Sequence, residues 1–461
     1  MNQEKLNLRN KKVLVVGLGK TGEAAVDFLQ KQGALVSISE KKPASELGPK
    51  LRKLKEKGIR IETGGHKLET FLSSDFIVPS PGVPLLPEIK AAQEAGIPVL
   101  SETELASLFI RGKIVGITGT NGKSTTTTLI YQILKAGKKR VHLAGNIGFP
   151  LIRYATSSRP TDIYVTEISS FQLAFCQKFR CEVAAFLNFS PNHLDWHGSL
   201  DAYWEAKKKL FINLEEKDIA ILNRDDPKVW SLRKEIRALP YFFSQKRPVT
   251  KGVYLNGDRI FLNNGQNQSA LPLKTIKLRG AHNIDNVMVS LLVGQLFGVP
   301  INLMKKVISQ FPGLEHRLEK VLTLRGVTFF NDSKATTVDA ALKAINSLET
   351  GIILIMGGRD KGADFSLLRP AIKSRVRHLI LLGEAREKIR QALKEVIPTS
   401  MASTMREAIN VAFELARPGE SVLLSPACTS FDMFINFEHR GHVFKREVRR
   451  LARRVKGSHI K

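Results

Sequence analysis

The stretch Lys113-Ile-Val-Gly-Ile-Thr-Gly-Thr-Asn-Gly-Lys-Ser-Thr125 decides the architecture of this chain. Its first half is a short apolar run ending on glycine, the pattern of a buried parallel strand. Its second half is a glycine loop that opens the helical stretch STTTTLIYQILKAG from Ser124. Such a loop turns backbone N–H groups and the positive end of a helix toward one point, which suits an anion. Lys123 can reach the β- and γ-phosphates of a nucleotide, and the Ser124 hydroxyl suits Mg²⁺. The spacing departs from the ordinary phosphate loop. The residue five before Gly122 is Ile117, and the first glycine sits one place earlier, at Gly116.

On the amino-terminal side, KKVLVVG (11–17), ALVSISE (34–40) and DFIVPSPGV (75–83) alternate with helical stretches. Strand–helix–strand repetition with short loops predicts a doubly wound parallel sheet. Gly17-Leu-Gly-Lys-Thr-Gly22 follows the first strand and opens a helix, with Glu40 ending the second strand. Taken alone this is a dinucleotide fingerprint, so a dehydrogenase is a competing reading. After residue 311 a third α/β pattern follows, with strands at 351–358, 378–383 and 421–427. The polar segment 241–280 has the look of a β-hairpin insertion. The expectation is an α/β chain of three domains, 1–105, 106–311 and 312–461.

The 461 residues are too many for one core, and no apolar run approaches the roughly 20 residues that span a bilayer. Three cysteines fit a reducing compartment better than a disulfide framework, and no signal peptide precedes the first strand, so a cytoplasmic enzyme is expected. A net charge of +28 raises the question of a nucleic acid or an anionic membrane. Much of the local excess lies in the tail Arg440–Lys461, where Phe444, Val448, Leu451, Ala452 and Val455 keep helical spacing. That predicts a docked amphipathic helix with a basic outer face. No nucleic-acid partner is expected, and a monomer is.

The off-pattern glycine loop resembles that of the Mur ligases and the related folylpolyglutamate synthetases. Further segments resemble that family in order: TEISSFQL (166–173), NFSPNHLDWHGSLDAYWEAKKKLF (188–211), AHNIDN (281–286), EHRLE (315–319) and NDSKATT (331–337). The resemblance implies a Rossmann-like UDP-binding domain, a central P-loop-type ATPase domain and a Rossmann-like carboxy-terminal domain that takes the amino acid. It implies ATP on Gly119, Thr120, Asn121, Gly122, Lys123, Ser124, Thr125, Asn283, Arg317 and Asp332. It implies two Mg²⁺ sites on Ser124, Glu167, His193 and a carbamylated Lys207, with Lys123, Glu167, His193 and Lys207 as the catalytic set. Gly17, Gly19, Lys20, Thr21, Gly22, Glu40, Lys41, Ser80, Gly82, Asn146 and His193 are implied on the UDP-substrate side.

The segments SPACTSFDMFINFEHRGHVF (425–444), SKAT (333–336) and GGRDKGADF (357–365) resemble the D-glutamate-adding branch. By that resemblance Lys334, Thr336, Lys361, Ser430 and Phe437 surround D-glutamate. The implied activity is ATP-dependent addition of D-glutamate to UDP-N-acetylmuramoyl-L-alanine through an acyl phosphate, in peptidoglycan precursor synthesis. A folylpolyglutamate synthetase-like enzyme is disfavoured by the additional glycine loop at Gly17–Gly22, since those relatives generally begin at the ATP-binding domain. A nucleic-acid-dependent ATPase would show salt-sensitive binding to DNA or RNA.

Overall fold

Alternating apolar runs and amphipathic stretches condense into three β-sheets covered by helices. A computed structural model describes residues 6–263, 267–278 and 280–457. The first sheet holds β1 (Lys12–Val16), β2 (Leu35–Glu40), β3 (Arg60–Thr63) and β4 (Phe76–Pro79), all parallel, in the order β3-β2-β1-β4. Val13, Leu14, Val15 and Val16 are all buried, as a strand covered on both faces requires.

The second sheet has nine strands: β5 (Lys113–Thr118), β6 (Val141–Gly145), β7 (Ile163–Glu167), β8 (Val183–Phe186), β9 (Ile219–Asn223), β10 (Leu239–Ser244), β11 (Gly252–Asn256), β12 (Arg259–Asn263) and β13 (Asn267–Pro272). Their order is β13-β12-β11-β10-β9-β8-β5-β7-β6. The segment read as a β-hairpin insertion holds antiparallel pairs, β11–β12 and β12–β13, and they extend this sheet through the parallel strands β10 and β11. Gly252 permits the join, since a Cβ there would lie 1.9 Å from the Phe242 carbonyl oxygen. Because β8, β5 and β7 are neighbours, the loops at their carboxyl ends lie side by side, where open α/β sheets bind ligands.

The third sheet holds β14 (Glu319–Leu324), β15 (Val327–Asn331), β16 (Ile352–Gly357), β17 (Val376–Leu382), β18 (Thr399–Met401) and β19 (Ser421–Leu424). The order is β14-β15-β19-β16-β17-β18, parallel except for β14 against β15. The helix Phe437–Gly457 docks on one face through Phe444, Val448 and Leu451. It leaves Arg446, Arg449, Arg450, Arg453 and Arg454 exposed, as the spacing predicts. The last residues of the basic tail, 458–461, lie outside the described residues.

The chain forms two compact units, Met1–Thr275 with Ile284–Ser309, and Ile276–Asn283 with Gln310–Lys461. The seam expected near residue 105 falls inside the first unit, and a buried carboxylate explains its cohesion. Glu104 accepts hydrogen bonds from the backbone N–H groups of Gln177, Lys178 and Phe179 at 2.6, 2.8 and 3.2 Å. Its own helix, Glu102–Ser107, is capped by the Ser101 hydroxyl. Glu104→Ala removes the acceptor of three backbone donors, that of the buried Phe179 among them, and should lower stability by about 3 kcal/mol, read as a fall in the urea midpoint with an unchanged slope.

Candidate active site

The glycine loop gets its shape from conformations that only glycine takes easily. Gly119 has φ +149° and Gly122 has φ +83°, at the start of the helix Lys123–Ala136. A Cβ at Gly122 would lie 2.4 Å from the Asn286 side-chain oxygen. Asn286, on the helix His282–Leu296, also accepts from the Thr126 hydroxyl at 3.0 Å. Asn188, beyond β8, braces the other side. It accepts from the Asn121 N–H at 2.9 Å and donates to the Asn121 carbonyl at 3.2 Å. The Thr120 hydroxyl donates to the Ser190 carbonyl at 3.1 Å. Lys123 folds back along the loop, its ammonium donating to the carbonyls of Gly119 and Thr120 at 2.8 and 2.9 Å. Ser124 and Thr125 are buried in the first helical turn.

Gly116, the glycine that breaks the phosphate-loop spacing, does not line this loop. It lies inside β5, where a Cβ would meet Leu210 Cδ1 at 3.0 Å and Cys181 Sγ at 3.1 Å. Its missing side chain makes room for the helix Leu200–Ile212, which brings in Lys207.

Lys207 is 1% exposed. Its amine donates to the Gly119 carbonyl at 2.8 Å and contacts the Thr118 hydroxyl at 3.4 Å. Burial pushes its pKa well below the usual lysine range, the Lys123 charge pushes the same way, and Glu167 opposes them. Glu167 ends β7, paired in register with Ile117 and Gly145, and is buried. Its Oε1 accepts from the Asn146 side-chain amide at 2.9 Å, so a residue expected on the UDP side bonds to the carboxylate. Gly145 permits that approach, since a Cβ there would lie 2.2 Å from the Glu167 carbonyl oxygen. His193 is exposed at the start of the short helix Leu194–His197, with φ +54°. Its ring lies 4.7 Å from Phe171 and 6.2 Å from Tyr203, and the Lys207 amine lies 4.8 Å from the Tyr203 ring. The structure therefore brings together Lys123, Ser124, Glu167 and Lys207, with His193 across Tyr203. This donor set fits Mg²⁺: hard oxygens from Ser124 and Glu167, and a lysine held toward its neutral form, which can take up CO₂ to become a third.

In the first sheet, Gly17 has φ +87° and Gly22 packs so closely that a Cβ would lie 2.1 Å from the Gly17 carbonyl oxygen. The Ser80 hydroxyl donates to that same carbonyl at 2.9 Å. Glu40 braces the loop, accepting from the N–H groups of Leu18 at 2.7 Å and Lys42 at 3.0 Å. Lys20, Lys41, Gly19 and Gly82 are exposed, and both glycines open onto free space. Thr21 is half-buried.

The second unit holds Asn283, Arg317, Asp332 and the residues expected around D-glutamate. Arg317 lies between His316 at φ +63° and Leu318 at φ +45°, a strained turn in a chain of L-residues. Asp332 fastens it, accepting from the Leu318 N–H at 3.0 Å and from the Ser425 hydroxyl at 3.0 Å. Burial pushes its carboxyl up to about 7. Lys334 lies 5.3 Å from the Phe437 ring, Ser430 is buried, Thr336 is half-buried and Lys361 is exposed. Glu315, His316 and His442 come close enough for a metal site, but the Lys445 ammonium already bonds to Glu315 and Glu319 and supplies the positive charge.

These sites sit on a chain that matches known proteins from end to end. Residues 11–101 match the Mur ligase MurD-like N-terminal domain, 117–294 the Mur ligase middle domain, and 316–428 the Mur ligase glutamate ligase domain. The UDP-N-acetylmuramoylalanine–D-glutamate ligase of Koribacter versatilis is 42% identical, over 98% of this chain and 100% of that relative. The chain belongs to the Mur ligase family. The enzyme of the same name from Acidobacterium capsulatum is 43% identical, over 95% of this Mur ligase and 96% of the relative. The UDP-N-acetylmuramate-alanine ligase of Thermotoga maritima shares the fold, with TM-score 0.60 at 17% identity, covering 95% of this chain and 99% of that one. So does the MurF ligase of Thermotoga maritima in complex with ADP, with TM-score 0.57 at 17% identity, covering 98% and 97%.

Three residues of this Mur ligase escaped the sequence reading. Asn188 and Asn286 stand in the segments 188–211 and 281–286 that carried the resemblance, but their bracing of the loop was not read from them. Arg440 was counted with the basic tail yet is 1% exposed. Its guanidinium bonds to the Ser333 hydroxyl at 2.9 Å, the Ser333 carbonyl at 2.8 Å, and the carbonyls of Cys428 and Thr429 at 3.1 and 3.2 Å. It thus ties 333–336 to 428–430. One signal was present: Arg440 stands four residues before Phe444 and eight before Val448, on the apolar stripe of its helix.

Proposed function

We propose that this Mur ligase joins D-glutamate to UDP-N-acetylmuramoyl-L-alanine, with ATP cleavage driving amide formation through an acyl phosphate. The observation that carries the reading is the burial of Lys207 and Glu167 beside the Gly119–Gly122 loop, in a chain 42% identical to a ligase of that name. A free carboxylate is a poor electrophile. The γ-phosphoryl group of ATP passes to a carboxylate oxygen of the UDP substrate, the β–γ anhydride bond breaks, and ADP leaves. The D-glutamate amine then attacks the acyl carbon, phosphate departs with the C–O electron pair, and a proton is released. Phosphoryl transfer of this kind depends chiefly on positioning and charge neutralisation.

Gly119–Thr125 and Arg317 hold the ATP phosphates, Asn283 the adenine and Asp332 the ribose. Gly17, Gly19, Lys20, Thr21, Gly22, Glu40, Lys41, Ser80, Gly82 and Asn146 form the UDP-substrate side. Lys334, Thr336, Lys361, Ser430 and Phe437 receive D-glutamate, the cation and hydroxyls suiting its carboxylates. Two Mg²⁺ ions held by Ser124, Glu167, His193 and carbamylated Lys207 would neutralise phosphate charge when bound. Carbamylation joins the neutral Lys207 amine to CO₂ with loss of a proton. It turns the repulsion between Lys207 and Lys123 into attraction. The same reading keeps three domains bounded at 105 and 311, a monomer, and a cytoplasmic place of work. Among the described residues no helix is long and apolar enough to cross a membrane.

The test is phosphate release with ATP, Mg²⁺, UDP-N-acetylmuramoyl-L-alanine and D-glutamate. Release is expected only when all are present. Turnover with another amino acid but not with D-glutamate would overturn the specificity.

A further inference from the structure

Trp196 stands three residues beyond His193, in the helix Leu194–His197, yet it packs with the apolar cluster of the first sheet, alongside Val83 and Leu86 against Leu14, Val16 and Phe175. Its indole N–H donates to the Val83 carbonyl at 3.3 Å. Val83 in turn closes over the first glycine loop: a Cβ on Gly17 would meet Val83 Cγ2 at 3.0 Å. The Ser80 hydroxyl bonds to the Gly17 carbonyl at 2.9 Å. On its other side the Trp196 ring meets Phe171 at 5.1 Å and His197 at 4.5 Å. Phe171 carries the His193 ring at 4.7 Å, and His197 bonds to the Ser170 hydroxyl at 2.9 Å. A continuous line of packed groups therefore runs from the Gly17–Gly22 loop to the segment bearing His193.

That segment needs external support. His193 holds φ +54°, a backbone conformation that costs a non-glycine residue about 1–3 kcal/mol and persists where neighbours over-determine it. The helix behind it has only four residues, too few to be stable alone. Trp196 is its anchor in the first sheet, and the backbone atom it grips belongs to the loop facing the UDP side.

We propose that Trp196 is a positioning residue that couples occupancy of the Gly17–Gly22 and Ser80–Val83 loops to the placement of His193. The proposal rests on the assignment of those loops to the UDP substrate. Filling the loops fixes Val83, Val83 fixes the indole, and the indole sets the His193 turn. Phosphoryl transfer is thereby favoured when the acceptor carboxylate is in place. Trp196→Ala should raise the KM for UDP-N-acetylmuramoyl-L-alanine by about tenfold and leave the KM for ATP within about twofold, the range of coupling carried by packed side chains. Trp196→Phe keeps the ring, loses the N–H, and should fall between.

A purely structural role would lower the active fraction, and so kcat, without moving one KM selectively. A readout independent of turnover is tryptophan fluorescence during titration with UDP-N-acetylmuramoyl-L-alanine alone. The chain has only three tryptophans, so the wild-type response should be largely lost in Trp196→Phe, with Trp204 and Trp230 remaining. Binding by the wild type with an undiminished response and unchanged KM in Trp196→Phe would overturn the coupling while leaving the ligase reading intact. A wild type that does not bind the UDP substrate would overturn both.

Discussion

Lys207→Ala is expected to lower turnover by on the order of 10³-fold, comparable to the loss of a group that stabilises transition-state charge, without lowering the melting temperature. The two halves of that expectation have one cause. Lys207 is fully buried against the Gly119 carbonyl, Glu167 partly offsets its charge, and Lys123 repels it. An unmodified ammonium there is costly to bury, and its removal offsets the packing lost with the side chain. The cost is tolerable if the working form is the carbamate, an anion facing Lys123. A short carboxylic acid such as acetate should then enter the space left by the side chain and restore part of the turnover. The measurement is the rate of phosphate release against acetate concentration, beside a thermal melt. A variant that stays folded but cannot be rescued would count against the carbamate.

Much of this site could be read from the chain because its pieces are local. A strand, a glycine turn and a helix start are contiguous at 113–125, and glycines at φ +149° and +83° have a sequence signature. Glu167 was named through the resemblance of TEISSFQL, and it ends the apolar strand Ile163–Glu167. What could not be read is pairing across long separations. Asn286 reaches Thr126 from 160 positions away, and Asn188 reaches Asn121 from 67. Asparagine carries no periodic mark that would reveal such a brace. Gly116 stood out only as a glycine displaced from the usual spacing, and its reason is again a long-range contact: its absent Cβ would meet Leu210 and Cys181. The hairpin character of 241–280 was legible, but its continuity with the central sheet was not, because sheet pairing depends on backbone groups, which β10 and β11 use to extend that sheet.

Arg440→Ala is expected to destabilise the second unit by about 3 kcal/mol, since it removes a charged donor from several buried acceptors at once, and to raise the KM for D-glutamate in whatever fraction remains folded. The guanidinium joins Ser333, Cys428 and Thr429 at once through four contacts. Its removal takes the guanidinium donor from the buried Ser333 and Cys428 carbonyls, while the Thr429 carbonyl keeps the Arg359 N–H at 2.9 Å. Burial pushes its pKa down to about 10, so the side chain remains a cation at neutral pH. Arg440→Lys keeps the charge but offers one compact ammonium where a planar fork spans two segments, so it should recover little of the stability. The KM effect follows from the same contacts, because Lys334 and Thr336 adjoin Ser333 and Ser430 adjoins Thr429. Urea unfolding of both variants, with the KM for D-glutamate measured below the transition, separates these effects. A lysine variant with wild-type midpoint and wild-type KM would show that charge alone is required at this position, and that the fork geometry does not set the D-glutamate residues.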